Sequence, residues 1–157
     1  LPRRALPGSS TCRRWRWREP VMQASAVLES ALYVTDLAAA EHFYGTVLGL
    51  EPAGKVEGRH VFFKCGKGIV LLFNAEATRH APPPDARLPV PPHGAAGEGH
   101  LCFAATEQEI DRWKAHLTEA GVAIEAEFEW PRGGRSIYFR DPSGNSLEFA
   151  NPSIWGL

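Results

Sequence analysis

The chain has 157 residues, 44% of them hydrophobic and 22% charged, which is typical of a globular protein built as one domain or two small fused modules. Its formal net charge is -1, and its three cysteines form no CxxC motif. No apolar run approaches the roughly 18 residues of a membrane span. These features indicate no membrane partner, no disulfide framework and no zinc knuckle, so we predict a protein of the reducing cytoplasm.

The first 20 residues are strongly basic. They contain six Arg and one Glu, which leaves a formal charge of -6 on the remainder of the chain. An arm rich in Arg and Trp is compatible with binding to nucleic acid or to a membrane surface. A disordered or non-native leader over residues 1–26 is the favoured interpretation, because Met22 is the sole methionine. The acidic remainder argues against nucleic acid as a partner.

Residues 27–76 are predicted to form a first module of the order β-α-β-β-β. The segment 29–36 alternates as a strand and ends in Thr-Asp, a pair suited to cap a following helix. From 37 to 48, apolar residues recur with the i, i+3, i+4, i+7 spacing of a helix that covers a core. Two further strands are predicted at 59–64 and 68–73.

A Pro-rich connector follows over residues 77–97. It has no hydrophobic period and is predicted to be a loop. Its histidines, His80 and His93, are expected to be solvated and without a role. Residues 98–152 are then predicted to form a second module, and residues 153–157 a tail.

The second module repeats the first. Three stretches align, at offsets of 71 and then 76 residues: 29–36 with 100–107, 59–64 with 135–140, and 68–73 with 144–149. We therefore predict an α+β fold of two βαβββ modules in pseudo-twofold repeat. The modules are expected to form a curved, cup-like mixed sheet with the helices outside.

Side-chain alternation assigns the strand residues to two faces. The large apolar positions are predicted to face the helices: Leu32, Val34, Leu101, Phe103, Leu147 and Phe149. The alternate positions are predicted to line a cleft: Glu29, Ala31, Tyr33, Val70, Leu72, Asn74, His100, Cys102, Ala104, Ser146, Glu148 and Ala150. This assignment places Glu29, His100 and Glu148 on one face.

Two carboxylates and an imidazole on one cleft face predict a metal site. The carboxylates repel each other unless a cation lies between them. Oxygen and nitrogen donors without thiolates suit a divalent first-row metal (Fe, Mn, Co, Ni or Zn) rather than structural zinc. We predict that Glu29, His100 and Glu148 hold this metal. The alternative is that both glutamates are solvated and His100 bonds a backbone carbonyl.

Four stretches carry a family resemblance: ESALYVTDLAAAEHFYGTVLGL, GIVLLF, GHLCFA and YFRDPSGNSLEF. Over about residues 27–152 the chain resembles the vicinal oxygen chelate superfamily, which includes glyoxalase I, extradiol dioxygenases, fosfomycin-resistance enzymes and bleomycin-resistance proteins. The resemblance implies metal ligands on the first and fourth strands of each module, here Glu29, Leu72, His100 and Glu148. Leu72 departs from the four-ligand glyoxalase pattern. Extradiol dioxygenases also take ligands from three strands, but with His where this chain has Glu29.

Arginines are candidates for binding an anionic substrate. If residues 141–144 form a four-residue hairpin loop, Arg135 pairs with Ala150 on the cleft face, and Arg59 is its repeat mate. A solvated arginine at a strand end is the alternative, because hairpin register is uncertain by one residue.

Three aromatic residues are further pocket candidates: Tyr33, His60 and Trp130. For Tyr33 and Trp130, packing in the core is the favoured alternative. The segment from Trp130 to Gly134 is predicted to be a mobile loop that closes over a ligand.

The leading functional hypothesis is a metal-dependent enzyme that acts on a small substrate with vicinal oxygens, by lyase, isomerase or dioxygenase chemistry. Glu29 and Glu148 are its candidate catalytic residues. A non-catalytic drug-binding protein of the bleomycin-resistance type is the alternative, favoured by Leu72. A basic-arm interaction protein ranks last. We also predict a homodimer, because the resemblance implies assembly of module against module and open sheet edges need cover.

Overall fold

Each half of the chain folds into a strand, a helix and three further strands. The computed structural model describes Met22 and residues 24–157, so the predictions for residues 1–21 lie outside it. The elements of the first module are β1 (Glu29–Tyr33), α1 (Leu37–His42), a π-helical turn (Phe43–Val47), β2 (Glu51–Val56), β3 (His60–Cys65) and β4 (Gly68–Phe73). None of the helices in the described part of the chain is long and apolar enough to cross a membrane.

The second module has the same order. A one-turn helix, α2 (Ala75–Thr78), opens the connector. The remaining elements are β5 (His100–Ala104), α3 (Glu107–Glu119), β6 (Ala126–Glu129), β7 (Arg135–Arg140), β8 (Ser146–Ala150) and a 3-10 turn (Pro152–Trp155).

The strands form two mixed sheets of four, in the orders β1-β4-β3-β2 and β5-β8-β7-β6. In each sheet the first and last strands of the module pair in parallel, and the other neighbours pair antiparallel. The predicted α+β fold of two repeated βαβββ modules is therefore confirmed.

Side chains cap the N-termini of α1 and α3 where the sequence predicts. The Asp36 carboxylate accepts from the backbone N–H of Ala39 at 2.9 Å, at the start of α1. Thr106 and Glu109 form a capping box at the start of α3. Each cap satisfies backbone donors that the first helical turn leaves unpaired.

The helix-facing sides of both sheets share one apolar core. It includes Leu32, Val34, Val61, Phe63, Val70 and Leu72 from the first sheet and Phe103, Ala105, Ile137, Phe139, Leu147 and Phe149 from the second. The rings of Phe43 and Phe139, one from each module, lie 6.5 Å apart. We call the side of each sheet that points away from the helices its open face.

The structure corrects the predicted facing of β4. Leu72 is fully buried in the core, and it pairs with Leu32 in the parallel ladder while Leu71 pairs with Ala31. Paired residues of adjacent strands share a face, so Leu71 lies on the open face, whereas Leu72 and Val70 do not. The prediction for Leu72 and Val70 is therefore wrong by one residue.

Hairpin length explains this error. Lys64 pairs with Ile69, with four residues between them, whereas the equivalent Arg140 pairs with Ser146, with five residues between them. The single offset of 76 residues ignored this insertion, and a shift of one residue moves every side chain to the other face.

Because of the same five-residue loop, the register of β7 and β8 differs from the predicted one. Ser136 pairs with Ala150 and Tyr138 with Glu148, so the predicted pairing of Arg135 with Ala150 is wrong. The Asp141 carboxylate accepts from the backbone N–H groups of Ser143 and Asn145, both at 2.9 Å. These bonds hold Asn145 inside the loop instead of in the strand.

This loop also joins the two modules. Asp141 Oδ2 accepts from the Asn145 side chain at 2.8 Å and from the Tyr44 hydroxyl at 3.0 Å, and Asn145 in turn donates to the Tyr33 carbonyl at 3.1 Å. Burial, followed by the Asp141 carboxylate, raises the pKa of Tyr44. Because these groups are buried and hydrogen-bonded to each other, the loop is a fixed contact between the modules.

Candidate metal centre

The open face of the second sheet brings a histidine and a glutamate together. Strands β5 and β8 pair in parallel, with His100 opposite Ser146 and Cys102 opposite Glu148. His100 and Glu148 therefore point to the same side from adjacent strands, and His100 Nε2 lies 3.3 Å from Glu148 Oε2. Two of the three predicted metal ligands are neighbours.

The carboxylate of Glu148 is buried, although it lies on the open face. Its side chain is only 6% exposed, and Oε1 has no hydrogen-bond partner. An unpaired buried carboxylate oxygen costs about 1–3 kcal/mol or more. A cation or a donor at this oxygen would remove that cost.

The hydrogen bonds of His100 fix the state of its ring. Nδ1 lies 3.1 Å from the carbonyl oxygen of Ser146, which can only accept, so Nδ1 carries a hydrogen. In the neutral ring Nε2 is then an acceptor, and it faces the carboxylate of Glu148. Two acceptors at this distance repel unless a proton or a metal ion lies between them, so the donor set fits a cation.

Two ionisable side chains adjoin Glu148. Burial, followed by the neighbouring carboxylate of Glu148, raises the pKa of Tyr138 to about 12. Desolvation, followed by the same carboxylate, raises the pKa of the Cys102 thiol to about 12, although the residue is exposed overall. Both groups are therefore protonated at neutral pH. The sequence missed Tyr138 because its predicted register placed Ile137 beside Glu148.

Glu29 is not brought to this pair. It is exposed at the start of β1. It lines a cavity of about 520 Å³ whose other lining residues include Cys102 and Ala104 of β5. Within the described range, no three His, Cys, Asp or Glu side chains are placed to hold a metal ion. A single chain therefore assembles two of the three predicted ligands.

Leu71 occupies the place in the first sheet that Glu148 has in the second. Leu71 pairs with Ala31 in the parallel ladder, as Glu148 pairs with Cys102. The residue of the first sheet equivalent to Glu148 is therefore the apolar Leu71, and not Leu72 as predicted.

The predicted substrate arginines have other partners. Arg135 lies on the helix side, where Nη2 is 2.5 Å from the Asp111 carboxylate and Nε is 3.5 Å from that of Glu107. Arg59 Nη1 donates to the carbonyl of Ala77 at 2.5 Å. Arg135 therefore does not reach the open face, because the register differs by one residue from the prediction.

Tyr33 and His60 belong to an aromatic cluster on the first sheet. The Tyr33 hydroxyl lies 2.8 Å from His93 Nδ1, and the His93 ring packs edge-on against Phe73 at 4.6 Å. The expectation that His93 is a solvated bystander is therefore wrong, whereas His80 is exposed. His60 stacks on Phe62 at 4.0 Å, and burial followed by the charge of Arg59 lowers its pKa.

Trp130 lies on the open face of the second sheet, in the β6–β7 hairpin. Its Nε1 donates to Ser136 Oγ at 2.8 Å, and its backbone N–H donates to the carbonyl of Gly134 at 2.8 Å. Phe128, which sequence analysis did not select, is 42% exposed beside it at 5.1 Å. The alternation of Phe128 with Glu127 and Glu129 was a signal that this strand has an aromatic open face.

Comparison with known proteins places the chain in a family. The model of the Glyoxalase/Bleomycin resistance protein/Dioxygenase superfamily matches residues 26–149. Glutathione transferase FosA of Serratia marcescens is 28% identical over 120 residues, which are 74% of either chain. Metallothiol transferase FosB of Shouchella clausii (strain KSM-K16) is 40% identical over 55 residues, or 31% of this chain and 35% of FosB.

Solved structures share the fold. The crystal structure of lactoylglutathione lyase from Agrobacterium tumefaciens is 44% identical in sequence. It superposes with a TM-score of 0.81 over 87% of this chain and all of that protein. An integron cassette protein from the V. cholerae mobile metagenome is 25% identical, with a TM-score of 0.62 over 83% of this chain and 98% of its own.

Proposed function

The chain belongs to the Glyoxalase/Bleomycin resistance protein/Dioxygenase superfamily, and on this premise we propose that it is a metal-dependent enzyme acting on a small substrate with vicinal oxygens. The observation that carries the proposal is the pair of His100 Nε2 and Glu148 Oε2 at 3.3 Å, with the second Glu148 oxygen buried and unpartnered. Lyase, isomerase and dioxygenase chemistry are all compatible with such a site.

His100 and Glu148 are the proposed ligands, and Glu29 is the proposed third ligand or base. A bound divalent metal would supply Lewis acidity, stabilising negative charge that develops on a substrate oxygen. The Ser146 carbonyl orients the His100 ring and keeps Nε2 free to bind. Tyr138, protonated at neutral pH, is able to donate a hydrogen bond to Glu148 or to a substrate oxygen.

Elemental analysis of protein purified without chelators tests the metal proposal. We expect close to one divalent metal per chain, and loss of this metal in Glu148→Ala because a buried ligand oxygen is removed. Glu129→Ala is the matched control, since Glu129 is an exposed glutamate of the same sheet. Full metal occupancy in Glu148→Ala would contradict the assignment.

We further propose a homodimer in which Glu29 of one copy faces His100 and Glu148 of the other. In one chain Glu29 is exposed and apart from the pair, and the His100 side chain is 52% exposed. A second copy would supply the missing carboxylate, and it would cover open sheet surface.

Mixing of variants tests the shared site. Glu29→Ala and Glu148→Ala are each expected to lose metal as pure proteins. Co-expressed, they are expected to regain metal, because a mixed dimer keeps one site with all its ligands. A monomer by light scattering at micromolar concentration, or no recovery in the mixed dimer, would contradict the shared site.

Drug binding without catalysis is the second candidate. Leu71 at the fourth ligand position and the exposed rings of Phe128 and Trp130 favour it. Protein that binds no metal under any of these conditions would support this candidate and exclude the first.

A further inference from the structure

A row of aromatic rings crosses the open face of the second sheet and ends at the candidate metal ligands. The rings of Trp130 and Phe128 lie 5.1 Å apart, those of Phe128 and Tyr138 5.6 Å, and those of Tyr138 and His100 6.3 Å. The interplanar angles are 15° for Phe128 and Tyr138 and 22° for Tyr138 and His100. These three rings therefore present nearly parallel planes. We call the four residues the aromatic row.

The outer end of the aromatic row is exposed but fixed. Phe128 is 42% and Trp130 38% exposed. Trp130 is held by its hydrogen bond to Ser136, which is itself fully buried. Gly134 allows the hairpin to pack here: its φ is +86°, and a Cβ would lie 2.7 Å from Ile154. Large rings held in place at the surface cost little conformational entropy when they bind a ligand.

In the described part of the chain, the strands that carry the row have no unpaired arginine or lysine on their open face. Among the described strands β5–β8, the open face carries one arginine or lysine, Arg140. Arg140 is already paired with Glu125 at 2.8 Å and with Glu98 at 2.9 Å. Arg135 forms ion pairs with Glu107 and Asp111 on the helix side of the sheet. At the inner end of the row lies the carboxylate of Glu148.

We propose that the aromatic row binds the flat aromatic part of a small ligand, whose oxygens lie at His100 and Glu148. The unpartnered Oε1 of Glu148, on which the metal proposal also rests, is buried at the inner end of the row. This inference rests on the proposed function for the position of the oxygens. The stacking surface itself depends only on the observed rings.

Two α-hydroxy acids isolate the contribution of the ring. Mandelate and hexahydromandelate carry the same oxygens and charge, but only mandelate has a flat aromatic ring. In calorimetric titrations of the full-length, metal-loaded protein, we expect mandelate to bind about 3- to 10-fold more tightly, the range typical of aromatic pairs.

Variants of Phe128 separate stacking from apolar contact. Phe128→Ala and Phe128→Leu are both expected to abolish the preference for mandelate, because neither has a ring. Leu88→Ala is the control, since Leu88 is 75% exposed in the connector, and it should keep the preference. Equal affinity for the two acids in the parent protein, or an unchanged preference in both Phe128 variants, would overturn the proposal.

The outcomes also separate this inference from the proposed function. Metal binding without a ring preference would refute the aromatic row as a ligand site and leave the enzyme proposal standing. A preference for mandelate in protein that holds no metal would refute the enzyme proposal and leave the aromatic row standing as a ligand site. If Phe128→Leu turns a dimer into a monomer by light scattering, a second copy covers the row, and the ligand proposal is overturned.

Discussion

The two modules agree on the side that faces the helices and differ on the side that does not. Six equivalent pairs on the helix side are apolar and buried in both modules: Leu32 and Phe103, Val34 and Ala105, Val61 and Ile137, Phe63 and Phe139, Val70 and Leu147, Leu72 and Phe149. Close packing of one shared core constrains all of these positions.

The open faces carry different chemistry at equivalent positions. The first module has Ala31, Phe62 and Leu71 where the second has Cys102, Tyr138 and Glu148. The shared core does not include these side chains, so one module can hold a polar site while the other remains apolar. The internal repeat therefore predicts the residues of the core well and those of the site poorly.

The greatest loss of stability is expected from a change in the β7–β8 hairpin, which has one residue more than the equivalent β3–β4 hairpin. Asp141→Ala removes the acceptor of Ser143, Asn145 and Tyr44, and leaves buried donors unpaired. We expect a loss of about 2–4 kcal/mol in the free energy of unfolding. Urea denaturation measures it.

Asp85→Ala is the control for this change, because Asp85 is exposed in the connector. A loss in Asp141→Ala no larger than in this control would show that the loop does not join the modules.

The second prediction makes the first module resemble the second. Leu71→Glu installs a carboxylate at the position equivalent to Glu148, where Leu71 is 8% exposed. In metal-free protein we expect a loss of about 1–3 kcal/mol, because the new charge is poorly solvated. Added Mn²⁺ is expected to restore the melting temperature if the position lies at the metal.

Leu71→Gln separates charge from size in this test. It should be destabilised without recovery on addition of Mn²⁺, since a neutral amide is a weaker ligand. Equal behaviour of the Glu and Gln variants would place Leu71 away from the metal.

The smallest expected effect is a change in pH dependence. The pKa of Tyr138 is raised from 10.0 to about 12, so the unfolded chain loses this proton at lower pH than the folded one. Its stabilising contribution is present below pH 10 and is lost as pH rises toward 12. Tyr138→Phe, which copies Phe62 of the first module, should make the alkaline decline shallower.

Urea unfolding from pH 8 to 11 measures this slope. Tyr33→Phe serves as the control for loss of a phenol on the other sheet. An identical slope in Tyr138→Phe and the parent protein would show that the Tyr138 phenol is not coupled to Glu148.

Local patterns located most of the strands and both helices that cover the core, but not β2 or β6, and they identified two of the candidate site residues. Alternation and helical spacing located β1, α1, β5 and α3 because these periods are set by backbone geometry. His100 and Glu148 were assigned to one face because His100 alternates with Leu101 and Phe103, and Glu148 lies between Leu147 and Phe149. Tyr138 and Phe128 were missed, since their facing depends on hairpin registers that periodicity does not fix.

The two-module α+β fold and its helix starts could be predicted from the sequence, because the internal repeat, the short-range periods and the capping residues specify them. The family was predicted from the resemblance of four stretches of the chain. The facing of β4 and β7 could not be predicted from the sequence and required the three-dimensional structure. The Asp141 carboxylate captures two backbone N–H groups and lengthens one hairpin by a residue, which turns Arg135 to the helices and Tyr138 to Glu148. The alternation of apolar and polar residues along a strand does not reveal such hydrogen bonds. They nevertheless decide which face of the sheet every side chain of the strand occupies.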